Sequence, residues 1–354
     1  MKKQKTKKIK VKDKILSRIK AKRIFLMFVS ICIVLLSTGL FLLYGPWSYI
    51  RETLITTAMT TMSHQYLAKW FYDEETIQEV LNNQKVIEPE EDTDPDQIEV
   101  KDPNEVVCKD EYDCQVLEKD PGNDLYKIIP VSGSGYKGYL VAVYDPSKVK
   151  IATTKYLGKR GQSTKVMAQE YDAHIAINAS GFYDPDWNSN GSTPHGTVIQ
   201  NGKVVWDYED ANVGGGFVGF TYENKLVLGR MTKQQALDMG MRDAIEFGPF
   251  LIVNGEPSFV KGNGGWGIAP RTAIGQRQDG IVLMLVIDGR RTHSIGADMV
   301  DLTEIMMRYG AYNAANMDGG SSSSLIVEKQ VYNNPVAGGE EGLRNIPTAW
   351  IVTD

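Results

Sequence analysis

The sequence predicts an α+β fold: one β-rich globular domain with a mixed sheet and a few helices, preceded by one transmembrane helix and a stalk. Three observations lead there. Residues 24–44 form an uncharged apolar run. Residues 125–354 are built of short apolar runs punctuated by Gly, Asn and Asp, the texture of strands and turns. Only two segments of that region show clear helix signals, which favours α+β over alternating βαβ units.

The elements follow in chain order. Residues 1–23 hold twelve Lys/Arg and one Asp, a charge of +11, so the other residues of a chain with net charge −5 sum to −16. Basic charge confined to one short tail does not indicate a nucleic-acid partner. The tail precedes IFLMFVSICIVLLSTGLFLLY at residues 24–44. A helix of that length spans about 30 Å, the thickness of a bilayer's hydrocarbon core. A cleaved signal would be shorter and end in small residues, whereas this run ends in Leu-Leu-Tyr-Gly-Pro-Trp. The expectation is a single-pass anchor with a cytoplasmic N-terminus, the tail meeting anionic lipid, and an extracytoplasmic C-terminal domain.

Residues 45–87 read as a juxtamembrane helical stalk, with self-association as the alternative. Ile50, Leu54, Ala58 and Met62 recur every four residues, Leu67, Trp70 and Phe71 continue the face, and Asp73 caps a second helix carrying Ile77, Val80 and Leu81. Residues 88–124 hold fifteen Asp/Glu, three Lys and four Pro, and read as a solvated acidic linker. A local disulfide between its Cys108 and Cys114 is permitted outside the membrane. From 125 onward, strands are expected at 139–144, 175–177, 197–199, 226–228, 250–253, 281–287, 325–327 and 349–352, with hairpin turns at Asn201-Gly202 and Asn254-Gly255. Helices are expected at Thr232–Met239 and Asp298–Tyr309, each opened by a capping residue and closed by Gly.

Composition removes several classes. A hydrophobic content of 42% excludes wholesale disorder, and 34 Gly without a period exclude collagen. Three Cys exclude a disulfide scaffold and argue against a multi-Cys zinc domain. Gly133, Gly135 and Gly138 spell G-x-G-x-x-G, but a strand follows where a dinucleotide site needs a helix, so no nucleotide cofactor is called for.

Four segments place polar residues beside apolar runs, the arrangement that delivers side chains to a sheet edge. They are IAINASGFYD from Ile175, IAPRTAIG from Ile268, Ile281–Ile287 followed by Asp288-Gly289-Arg290, and AANMDGGSSSS from Ala314. Arg271 and Arg290 are planar forks suited to phosphate, assisted by Asn178 and Thr272. Gly319, Gly320 and Ser321 offer N–H groups and a hydroxyl as an anion nest. Asp318 and Asp288, with Glu246, supply the carboxylates glycosyl transfer uses, and His195 is a further acid, base or donor. Each has a structural alternative; a strand-terminal Asp-Gly, for instance, is as readily a turn. Asn178-Ala-Ser180 is formally a glycosylation acceptor, taken here as coincidence because it lies inside a site motif.

The ordered motifs NASGFY, PRTAIG, IDGRRTHSIGAD and AANMDGGSSSS resemble those of the phosphodiester glycosidase family over roughly residues 125–354. The family pattern usually reads N-G-x-F-F and D-G-G-G-S, where this chain has NASGFY and DGGSS. The resemblance implies hydrolysis of a sugar-1-phosphodiester, with Asn178, Arg271, Asp288, Asp318, Gly319 and Gly320 matching family positions. It also implies a cell-envelope or exopolysaccharide setting. Chemically this is sensible, because a phosphate leaving group needs charge stabilisation more than protonation. The alternatives are a non-catalytic envelope module that binds anionic glycan, and a serine esterase using Ser180 or Ser321 with His195 or His293. The esterase ranks last because no G-x-S-x-G elbow is present.

Overall fold

The computed structural model describes residues 2–61, 64–101, 106–185, 189–207 and 216–354, with backbone alone at 2–17 and 19. The charges of most of the basic tail, Met62 in the expected stalk and Pro103 in the expected linker lie outside the described side chains. The chain divides into two compact units, Met1–Leu54 and Ile55–Asp354.

The first unit contains helix α1 (Lys2–Tyr44) and the start of α2 (Ser48–Met59). Within α1, Lys20–Tyr44 is long and apolar enough to cross a membrane once.

The second unit continues with α3 (Gln65–Phe71), α4 (Glu74–Asn83), strand β1 (Lys85–Ile87), α5 (Glu111–Leu117), β2 (Tyr126–Ser132), β3 (Lys137–Val143) and β4 (Val149–Thr153). Then come α6 (Thr164–Glu170), β5 (Ile175–Asn178), β6 (Val198–Gln200), β7 (Lys203–Trp206), β8 (Gly216–Thr221), β9 (Leu226–Gly229), α7 (Lys233–Asp238) and β10 (Met241–Phe247). They are followed by β11 (Phe250–Val253), β12 (Glu256–Pro257), β13 (Phe259–Lys261), β14 (Arg271–Arg277) and β15 (Val282–Ile287). The last elements are α8 (Met299–Arg308), β16 (Ala311–Asn316), β17 (Leu325–Val327), β18 (Gln330–Val331) and β19 (Thr348–Val352).

The strands form three large sheets, ordered β12-β11-β16-β14-β15-β3-β2, β7-β6-β10-β8-β9 and β18-β17-β5-β19-β4, besides the pair β1-β13. Every described pairing is antiparallel, which corrects the expected mixed sheet; none of these neighbours is joined by the crossover helix that parallel strands need.

The α+β class follows from how the sheets bury both faces. In β15, Val282, Met284 and Val286 point into a central core shared with Trp350, Phe220, Ile177 and Ile245 from the other two sheets. Alternate residues Leu283, Leu285 and Ile287 point outward against Leu302, Ile305 and Met306 of α8. Successive strand residues face opposite ways, so a strand covered on both sides reads as one unbroken apolar run. Helix α6 covers the outer face of the β5–β19 sheet, and α7 that of the β8–β10 sheet. Both predicted helices start at a reciprocal capping box. Asp298 pairs with Asp301 at 3.0 and 3.1 Å, and Thr232 pairs with Gln235.

Two segments differ from expectation. Residues 55–61 and 64–87 are knitted into the second unit rather than forming a free stalk: Ile55, Ala58, Ile77 and Val80 are buried, and β1 pairs with β13. Trp70, read as part of an apolar face, is 72% exposed, while Ala68 is buried instead. The described parts of 88–124, read as a solvated linker, lie along the domain. Ile98 and Val116 are buried, Thr93 N donates to Leu228 O at 3.1 Å, and Glu99 N donates to Gln278 O at 2.9 Å. The acidic residues have uses that composition does not show. Asp113 meets the buried Arg277 at 2.6 Å, and Glu88 accepts from Phe250 N at 3.0 Å. Cys108 and Cys114 are disulfide-bonded.

Candidate active site

The site forms where the end of β5, the start of β14 and the end of β16 converge. In the antiparallel register Ala273 of β14 faces Asn316 of β16, so Arg271 at the head of one strand lies beside the chain leaving the other. That chain, Met317–Ser324, crosses from the seven-stranded sheet to β17. Met317 N donates to Thr272 O at 2.8 Å, Asp318 N to Ala179 O at 3.1 Å, and Gly320 N to Pro270 O at 2.8 Å. The loop carrying Asp318 is therefore pinned to both sheets.

Asn178 underlies this loop. Its amide donates to Asp318 O at 2.6 Å and accepts from Thr272 Oγ1 at 2.8 Å and Ser324 N at 3.1 Å. Asn178 and Thr272 are buried beneath the cavity, and an amide so engaged is not a glycosylation acceptor.

A cavity of about 370 Å³ opens above the loop, lined by His195, Arg271, Arg290, Asp318, Gly319, Gly320 and Ser321 among others. Seven of the eleven candidate residues thus meet in one place. The buried Arg271 donates Nε to Ala297 O at 3.0 Å and Nη2 to Trp266 O and Gly267 O at 2.6 and 2.5 Å. Three carbonyls orient it, yet among the described residues no carboxylate lies within 4.0 Å of Arg271 or Arg290. Burial lowers the Arg271 pKa to about 10, nearby Asp298 and Asp318 opposing that shift and Arg290 adding to it; the group stays cationic at neutral pH. Arg290, at the mouth, reaches Ser321 Oγ at 3.5 Å.

Burial of the Asp318 carboxyl raises its pKa to about 6, with the Ser322 hydroxyl, the Arg344 charge and Gly319 N–H opposing the shift and Asp184 adding to it. Asp184 and Arg344, both lining the cavity, form an ion pair at 2.6 Å, and Arg344 stacks on Phe182 at 4.5 Å. Trp266 and Phe247 supply an aromatic wall, their rings 6.4 Å apart.

Several expectations are corrected. Asp288 does not line the cavity. It is buried and accepts from Asn334 N, Asn334 Nδ2, Asn333 Nδ2 and His293 Nε2 at 2.8 to 3.2 Å, so its carboxylate organises the turn after β15. Glu246 also stays off the cavity wall; burial raises its pKa, with hydrogen bonds from Thr197 opposing. Of the anion nest expected at Gly319, Gly320 and Ser321, the N–H groups of Gly319 and Gly320 donate within the protein, to Asp318 Oδ1 and Pro270 O. Ser180 is buried against Thr348 Oγ1 at 2.6 Å and His293 is engaged by Asp288, which leaves no esterase pair between them.

Sequence reasoning missed Asp184, Arg344, Phe182, Phe247, Trp266 and Thr60 as cavity residues. Asp184 had a signal, since it closes the NASGFYD motif. Arg344 had none; it arrives from a loop 20 residues beyond the last motif, which ends at Ser324.

Fold and site define a class: an antiparallel α+β scaffold whose cavity is lined by the Asp318 carboxyl and by two guanidiniums, Arg271 and Arg290, without a carboxylate partner among the described residues. The family model for phosphodiester glycosidases matches residues 171–353, and the chain belongs to that family. The match encloses every cavity residue named above except Thr60. The chain is 30% identical, over 200 residues, to the SPbeta prophage-derived uncharacterized protein YomE of Bacillus subtilis strain 168, covering 54% of this chain and 30% of that relative. It therefore spans about a third of the length of the curated relative it matches. Its fold is similar to the zebrafish N-acetylglucosamine-1-phosphodiester alpha-N-acetylglucosaminidase catalytic domain, solved in a form auto-inhibited by its pro-peptide. That likeness has a TM-score of 0.54 and 18% identity, over 67% of this chain and 86% of that one.

Proposed function

We propose that this protein is a membrane-anchored, extracytoplasmic hydrolase that cleaves the glycosidic bond of a sugar-1-phosphodiester in a cell-envelope or exopolysaccharide glycan. One observation carries the reading: a buried guanidinium without a carboxylate partner, Arg271, lines the same cavity as the Asp318 carboxyl. A buried cation held only by carbonyls favours an anionic ligand. A carboxylate beside it would repel a phosphate, so its presence calls for chemistry at the adjoining carbon.

In this reading Arg271 and Arg290 hold the phosphate. The bond between the anomeric carbon and the phosphate oxygen breaks, and the phosphate monoester leaves with the electron pair. The guanidiniums stabilise the developing charge. Asp318, ionised at pH 7, serves either as the nucleophile or as the base that takes a proton from attacking water. The Asp184–Arg344 pair replaces Glu246 as the second charged element, and Trp266 and Phe247 receive the sugar face. The anomeric outcome distinguishes the two roles of Asp318: retention requires a glycosyl-enzyme, inversion a direct attack.

The full chain in detergent is incubated with UDP-N-acetylglucosamine and a panel of sugar-1-phosphodiesters, beside Asp318→Asn. Release of free sugar by the parent alone is expected. A folded parent that binds these compounds without turnover would replace the hydrolase with the anionic-glycan-binding module.

A further inference from the structure

The family match begins at residue 171, yet one wall of the cavity comes from residue 60. Thr60 belongs to a short segment, Ile55–Thr61, whose Ile55, Thr56, Ala58 and Thr61 are buried in the second unit. This segment grips the loop GNGGWGI at residues 262–268. Asn263 Nδ2 donates to Thr56 Oγ1 at 2.6 Å, Ile268 N donates to Thr57 Oγ1 at 3.0 Å, and Thr60 Oγ1 donates to Trp266 O at 3.2 Å. Gly267 has φ +60° and lies so close that a Cβ there would come within 2.5 Å of Thr57 Cα.

The loop matters because of what its carbonyls do. Trp266 O and Gly267 O are two of the three acceptors that orient Arg271, and the Trp266 ring forms the aromatic wall. Thr57 fixes the backbone of Ile268, one residue beyond Gly267. The path from Thr57 to the guanidinium is therefore one hydrogen bond, one tight backbone approach and one carbonyl contact.

We infer that Thr57 is a positioning residue and Thr60 a wall residue of the active site, so that the segment following the apolar helix is a working part of the hydrolase. The inference rests on the phosphodiester reading of the cavity. Thr57 acts through the Trp266–Gly267 carbonyls on Arg271, and Thr60 borders the bound substrate.

The test uses the full chain in detergent and the probe UDP-N-acetylglucosamine, with free N-acetylglucosamine as the uncharged comparison. Binding is measured by calorimetry in the Asp318→Asn background, which does not consume the probe, for Thr57→Val, Thr57→Ser, Thr60→Val and Arg271→Met, and thermal midpoints are recorded for each. Thr57→Val is expected to weaken the nucleotide-sugar about tenfold, the loss of one hydrogen bond to a charged-group scaffold. Thr57→Ser should restore it, and affinity for the free sugar should stay unchanged. A merely structural threonine would lower the thermal midpoint without separating charged from uncharged ligand. Unchanged binding in Thr57→Val, with binding lost in Arg271→Met, overturns this inference alone. Unchanged binding in Arg271→Met overturns the anion-site reading and this inference with it. Should Thr57→Val fail to fold, Thr60→Val decides: weaker nucleotide-sugar binding supports the wall, and tighter binding shows Thr60 to be an obstruction.

Discussion

At Asp318 two demands meet in one side chain: its backbone joins two sheets and its carboxyl faces a cationic cavity. Asp318→Asn preserves shape and removes the charge. Sugar release should fall by about 10²–10⁴-fold, the range for losing a positioned acid–base group, with the thermal midpoint retained or raised. The sign of the pH effect follows from the pKa of about 6, above the ordinary carboxylate value of 3.8. The folded state favours the protonated form, so this group's stabilising contribution is present below about pH 4 and is lost as pH rises through 6. The thermal midpoint of the parent relative to Asp318→Asn should decline over that window, while activity should rise through it as the carboxylate forms. Arg271→Met makes the complementary case. The variant leaves the Gly267 carbonyl without its donor and removes the cation that Asp298 and Asp318 face, so stability should fall by about 1–3 kcal/mol in denaturant unfolding, while affinity for a phosphodiester should drop by about 10–100-fold, measurable by calorimetry. At this scale Asp318 and Arg271 were legible because their motifs lie next to recognisable strands. Asp288 belonged to an equally suggestive Asp-Gly motif, and only its four donors reveal a carboxylate used by the fold.

Elements were legible where burial is complete on both faces or where a cap announces itself. Strand β15 and helix α8 are such cases, as are the Asn201-Gly202 and Asn254-Gly255 turns, whose asparagines have positive φ. Strands β10 and β14 were not, because MRDAIEF and RTAIGQR carry charges along their length. Their polar groups are satisfied partly nearby, Arg242 by Asp243 and Arg277 by Asp279, and partly by partners far along the chain, Arg277 by Asp113 and Tyr309 O and Gln276 by Asn224 O. The distant partners leave no trace in the local pattern. The α7 cap offers a control away from the cavity. Thr232→Ala removes one half of a capping box and should cost about 1 kcal/mol in denaturant unfolding, with sugar release unchanged.

For the molecule as a whole, the apolar helix sets the expected behaviour in cells. The full chain should resist alkaline extraction from membranes, and its C-terminal domain should be digested by protease added from outside intact cells; a domain protected until lysis would reverse the assigned orientation. Domain organisation was the least legible scale. The described stretches between residues 85 and 124 carry too little apolar sequence to announce a core of their own, and they are held by edges and an arginine that later residues supply.

The sheet order has a consequence in time. Strand β19 lies between β5 and β4, and Val149 of β4 pairs with Val352 of β19, about 200 residues further on. At a synthesis rate of about 5–20 residues per second, β4 waits roughly 10–40 s for its neighbour. Throughout that interval two apolar strands have open edges, each a template for the wrong partner. Closure of this sheet thus waits for β19, and a ribosome stalled before Thr348 should yield aggregate rather than a shortened folded domain.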